Sequence, residues 1–130
     1  MILALRTDKP EAELYLIDNA GHGVSKHTWE AHRQLAGTLV STVQSFLHAN
    51  DLEASKLTGL VIFTGSGSFT GLRIGTTVAN TLAYAHALPI ASGEGDDWLA
   101  DGLKRLQAAQ PGQYATPKYG KEPNITKSKA

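Results

Sequence analysis

Apolar and polar positions change period several times along this chain, and each change marks an element. Ile2-Leu3-Ala4-Leu5-Arg6 is a short, nearly continuous apolar run of the kind a buried strand carries. Ala12 to Asp18 and Gly23 to Trp29 read as the two arms of a hairpin across Asn19-Ala20-Gly21-His22. From Leu35 to Ala49 the period becomes helical. At about 100° per residue, Leu35, Ala36, Leu39, Val40, Val43, Phe46 and Leu47 fall within an arc of about 140°, wide for a single contact surface. Asn50-Asp51 ends that helix and Leu60 to Phe63 forms a fourth strand. A second helix runs from Leu72 to Ala87, where Pro89 stops it, and Leu88 to Ser92 is a fifth strand. Asp96 to Ala109 is a third helix, with Trp98, Leu99, Leu103 and Leu106 available for a core stripe.

Three leading strands followed by helix, strand, helix, strand, helix (βββαβαβα) describe a mixed five-stranded α/β sheet. Right-handed crossovers make its later strands parallel. This is the order of a ribonuclease H-like half-domain of the actin-like ATPase fold. At 130 residues and 42% hydrophobic, the chain has enough material for one core. The expected division is a domain over 1–109 and an extended tail over 110–130, where Pro, Gly and Lys accumulate without a period.

Charge sharpens that division. Up to Ala109 there are 8 Lys/Arg against 11 Asp/Glu, whereas the tail has 4 lysines against Glu122 alone. Such a tail is either a solvated end or a contact for RNA or an acidic partner. The absence of cysteine excludes disulfides, thiolate catalysis and zinc ribbons, and fits a reducing cytosol. No apolar run reaches the roughly 18 residues of a membrane span, and "MILALRTDKP" lacks the pattern of a secretory leader, so a cytoplasmic location is expected.

Nucleases and sugar kinases of this fold need an acid at the end of the opening strand to hold metal. Here that strand ends in Arg6, and Asp8 comes two residues late, so neither activity is expected. His22, His27 and His32 recur at spacing five, which separates them on a helix and puts them on opposite faces of a strand; surface histidines are the expected reading. Gly65, Gly67 and Gly71 after an apolar strand admit two readings. A dinucleotide cradle with Glu94 as the ribose acid is one, although the spacing is one residue too long. The other gives Gly65 and Gly67 to a sharp turn, Ser68 or Thr70 to helix capping and Gly71 to a close helix contact.

"GSGSFTGLRIGTTVANTLAYAHALPI" resembles the signature of the bacterial TsaB (YeaZ) family, with Ser66 in place of the usual proline. The residues that carry the resemblance are Gly65, Gly67, Ser68, Phe69, Thr70, Gly71 and Arg73. Ile2-Leu3-Ala4-Leu5-Arg6-Thr7 is similar to the family's opening strand, and Pro117-Lys118-Tyr119 with Pro123 to Thr126 to its C-terminal pattern. Only about 93–113 stands where the family usually carries a second subdomain, so a reduced form is implied.

The resemblance implies a non-catalytic subunit without a cofactor or metal of its own. Such a subunit pairs with a fold-related enzyme that transfers threonylcarbamoyl to adenosine 37 of tRNA, alongside a third, ATPase subunit, and touches tRNA indirectly. It also implies association through the first two helices, with a homodimer as the alternative when the chain is isolated. Splitting the stripes accordingly puts Ala36, Val40 and Leu47 against the sheet and Leu35, Leu39 and Phe46 outward. On the second helix Ile74, Val78, Leu82 and Ala85 then face inward, and Leu72, Thr76, Ala79, Ala83 and Ala87 meet the partner. On this division Phe46→Asp or Ala83→Glu weakens association in a folded protein, and Ile74→Asp unfolds it.

Overall fold

A computed structural model describes residues 1–65 and 69–116. Its sheet has the strand order β3-β2-β1-β4-β5. β1 (Ile2–Arg6), β2 (Glu11–Ile17) and β3 (Gly23–Glu30) form an antiparallel meander, while β4 (Gly59–Phe63) and β5 (Ile90–Gly93) run parallel to β1. The helices are α1 (Leu35–Ala49), α2 (Phe69–His86) and α3 (Trp98–Leu106). Element order and type are those expected; α2 starts a turn earlier than expected, and α3 is shorter at both ends.

Strand alternation assigns the two faces. Leu3, Leu5, Leu14, Leu16, Leu60 and Ile62 join the core beneath α1 and α2. Ala4, Ile17, Val61 and Phe63 point the other way, to Trp98 and the half-buried Leu99, Leu103 and Leu106 of α3. Each buried leucine contributes on the order of 1.5–3 kcal/mol, and β1 is completely covered at Leu3, Ala4 and Leu5.

Local chemistry explains the boundaries. The Asp18 carboxylate accepts N–H bonds from Ala20 at 3.0 Å and His22 at 2.9 Å, closing the hairpin where Gly21 takes φ +91°. α1 and α2 end alike: Asp51 and Ala87 adopt left-handed φ of 58° and 52°, and the amides of Leu52 and Leu88 donate back to Leu47 and Ala83. The first residues of the expected tail are tied down. Asn80 Nδ2 donates to the Ala115 carbonyl and Asn80 Oδ1 accepts the Ala115 N–H, both at 2.9 Å, against the side of α2. The lysines of the tail and its Pro-Lys-Tyr stretch lie outside the described residues.

The facing of the two helices differs from the expected one, although Leu47 is buried as expected. Leu35, Leu39 and Phe46 of α1, and Leu72, Thr76, Ala79 and Ala83 of α2, are buried in the protein's own core. Of the eight expected contact residues only Ala87 is exposed, while Ala36 and Val40, expected inside, are outside, and Ile74, Val78 and Leu82 are half-buried. The reason is the closeness of α2 to the sheet. A Cβ on Gly75 would come 2.1 Å from Thr7 Oγ1, so the side of α2 with the small residues is the side that must meet the strands.

The expected effects of substitution exchange accordingly. Phe46→Asp and Ala83→Glu bury an unpaired charge and lower stability by several kcal/mol, whereas Ile74→Asp leaves a folded protein. Gly75→Ala forces Thr7 aside and costs about 1–3 kcal/mol. Urea unfolding followed by circular dichroism checks all four; a Gly75→Ala protein as stable as the wild type would show that α2 is free to retreat from β1.

Candidate functional site

Two features stand out from the fold, a groove between helices and a charged cluster at the carboxyl end of β1. The groove lies between α1, α2 and the segment after α1, with a volume of about 610 Å³. Val40, Leu47 and Leu52 form one side, and Val78 and Leu82 the other, with Thr77, Thr81, Gln44 and His86 as its polar fringe. Val40 is 52% exposed, an apolar side chain held in solvent in the middle of a helix. This groove uses the faces of α1 and α2 opposite to those read from the small-residue stripe. The sequence signal that would have found it is the set Val40, Val78 and Leu82, of which the α2 members are too bulky for the tight contact with the sheet.

At the end of β1, Arg6 Nε donates to Asp8 Oδ1 at 2.8 Å and its Nη2 to Oδ2 at 3.3 Å. The guanidinium also lies 3.9 Å from the centroid of the Phe63 ring. Trp98 meets Phe63 and Tyr15 edge to face, at 5.9 and 5.8 Å between centroids. Tyr15 Oη donates to one oxygen of Glu13 and Lys9 Nζ to the other, the latter at 2.7 Å. Asp8, the acid the sequence offers closest to the strand end, is thus engaged by Arg6, and Glu13 by two donors. Burial pushes the Glu13 carboxyl up, but the Lys9 and Tyr15 hydrogen bonds and the Lys9 and Arg6 charges outweigh it and hold it below the ordinary 4.5. Burial first, then the bond to Glu13, raises the Tyr15 hydroxyl. Arg6 stays protonated, since Asp8 and Glu13 overcome the effect of its burial.

The glycine signature is explained in part. Gly65 sits over Phe63, where a Cβ would come 2.5 Å from Cζ. Gly71 is buried on α2 and its carbonyl accepts the Thr7 hydroxyl at 2.8 Å. Thr70 and Arg73 are exposed on the first turns of α2. Gly67, Ser68 and the side chain of Phe69 lie outside the described residues. Gly75, given no role from the sequence, makes the tightest approach to β1. His22 is exposed beside Asp18 and His27 stacks on Trp29 at 5.7 Å, and among the described residues no three His, Cys, Asp or Glu side chains cluster as metal ligands.

A mixed sheet flanked by α1 and α2 on one face and α3 on the other defines a ribonuclease H-like domain. RuvC of T. thermophilus in complex with a Holliday junction substrate shares this fold, at 10% identity and a TM-score of 0.57 over 85% of this chain and 98% of that one. The family model "TsaD: tRNA N6-adenosine threonylcarbamoyltransferase" matches residues 24–92, more than half of the chain. The TsaB protein of Bacillus subtilis, of tRNA threonylcarbamoyladenosine biosynthesis, is 37% identical over 84 residues, 59% of this chain and 37% of its own length. YeaZ from Pseudomonas aeruginosa superposes with a TM-score of 0.65 at 27% identity, over 72% of this chain and 43% of that one. The chain belongs to this threonylcarbamoyladenosine family, as a TsaB/YeaZ member. It spans well under half the length of these two relatives.

The charged cluster generates a pH prediction. A carboxyl depressed on folding lends stability above its unfolded value, lost as the pH falls through its folded value. The melting temperature therefore drops as the pH falls below about 4.5, the ordinary glutamate value. Glu13→Gln flattens that part of the profile and lowers the melting temperature at neutral pH, as read by thermal circular dichroism down to about pH 3. Identical slopes in both proteins would show that Glu13 is not linked to folding.

Proposed function

We propose that the chain acts in threonylcarbamoylation of tRNA as a non-catalytic subunit, docking the α1–α2 groove onto a transferase subunit of related fold. The observation that carries this reading is the exposed apolar groove, formed by the two helices on either side of the signature loop and centred on Val40 and Val78. The charged cluster supports the non-catalytic part. Arg6 ends β1 and holds Asp8, and the two Glu13 oxygens are taken by Tyr15 and Lys9, so both acids near the strand end are already engaged by neighbouring side chains. Membership of the family supplies the reaction that the assembly performs.

Val40→Asp and Thr77→Glu place charges in the groove at positions already exposed in the isolated chain, so folding is retained. Desolvating such a charge against an apolar partner costs several kcal/mol, and either substitution is expected to weaken binding to the transferase subunit by at least about a hundredfold. Sedimentation velocity with that subunit reads the association, and the yield of modified adenosine in tRNA reads its consequence. Full binding by both folded variants would refute docking through the groove. Turnover of tRNA by the chain alone would refute the non-catalytic role.

A further inference from the structure

Among the described residues, the large apolar side chains held in solvent are Val24, Val40, Tyr84 and Tyr114. Tyr84 is 77% exposed and Tyr114 47%, and neither lines the groove. Far apart in sequence, they are brought together by the segment after α3. That segment turns at 110–113, where Gln113 N–H donates to the Gln110 carbonyl at 3.3 Å and Gly112 takes φ +96°, and then reaches α2. Asn80 grips Ala115 there through its two hydrogen bonds, and Ala115 packs against the main core. Tyr84 follows Asn80 by one helical turn on the same side of α2, and Tyr114 is the chain neighbour of Ala115. Both phenol rings therefore flank the point where the segment is held.

We propose that this flank of α2 binds RNA, with unpaired bases stacking on Tyr84 and Tyr114 and the lysines that follow in the chain meeting phosphates. Charge complementarity selects the occupant. No Asp or Glu occurs from Ala54 to Gly93, which contains the whole of α2, or from Gly102 to Lys121, which contains the segment that Asn80 holds. Up to Ala109 acids outnumber Lys/Arg by 11 to 8, so an acid-free flank is a local feature. Glu53 lies across the helix, in the groove. Beyond Ala115 the sequence carries Lys118, Lys121, Lys127 and Lys129 against Glu122, with Tyr119 among them. Lysines displace the counterions of a phosphate backbone, and an aromatic ring stacks on a base of any kind. A cationic segment that starts beside two exposed rings thus suits a polyanion with open aromatic faces. That this RNA is tRNA rests on the function proposed above; the affinity for unpaired bases does not.

Fluorescence anisotropy of the full chain with a labelled, unmodified tRNA transcript reads the contact, with no transferase subunit present. Binding is expected to weaken with salt, the logarithm of the association constant falling by about 0.7–0.9 per phosphate contact for each tenfold rise. Tyr84→Ala and Tyr114→Ala each weaken it at least about fivefold, whereas Tyr84→Phe and Tyr114→Phe, which keep the ring, stay within about twofold of the wild type. Alanine in place of Lys118, Lys121, Lys127 and Lys129 together flattens the salt dependence. Circular dichroism confirms that each variant is folded. The tyrosine variants keep full binding to the transferase subunit by sedimentation velocity, so this result and that of the groove variants are read separately. No binding of the transcript overturns the proposal, as does binding indifferent to both alanine substitutions or equally tight to a fully paired RNA hairpin. Tyrosine variants that lose the transferase subunit and keep RNA would make the flank a protein surface and overturn it too.

Discussion

The distance between α2 and the end of β1 governs much of this structure. Thr7 donates its hydroxyl to the Gly71 carbonyl, and Gly75, one turn further, leaves no room for a methyl group beside the same side chain. With the helix held that close, the positions toward the strands accept Ala79 and Ala83, with Leu72 entering at the helix start near Val61 and Phe63. Ile74, Val78 and Leu82 are turned to the flank. The same constraint that seats the helix therefore creates one wall of the groove, and a substitution that pushed α2 outward would alter core and surface together.

The opposite face is organised by rings. Trp98, at the start of α3, touches both Tyr15 and Phe63, and Phe63 carries the Arg6 guanidinium on one side and Gly65 against its edge. α3 itself can sit over β4 and β5 because Gly93 and Gly102 have no side chain: a Cβ on either would reach the Trp98 carbonyl or Val61 within 2.3 Å. The conformation at the end of β1 thus depends on a short helix far along the chain. A guanidinium stacked on an aromatic face and paired with a carboxylate is stable in such a place, where burial alone would disfavour it.

α1 contributes to two recesses of the surface. Val40, Gln44 and His48 look into the groove, while Ser41, Ser45 and Ala49 flank the β3 edge. The first is mostly apolar, and the second is lined largely by small and polar side chains.

Local chemistry settled much before tertiary structure entered. The apolar run at Ile2 to Leu5, the hairpin between Ala12 and Trp29, the α1 limits Leu35–Ala49 and the stop at Pro89 follow from period and turn residues, which act over a few positions. Element order then leaves few topologies, and the mixed sheet is among them. Periodicity also finds which residues of a helix share a stripe, but it cannot say which stripe faces the core when a helix carries two. For α2 the small residues could fit a partner helix or a sheet equally well; only the approach of Thr7 to Gly75 decides. Likewise Arg6 and Asp8 are legible as the wrong and the late residue at a strand end, whereas their pairing, the stacking on Phe63 and the engagement of Glu13 by Tyr15 and Lys9 require strands and α3 to be brought together.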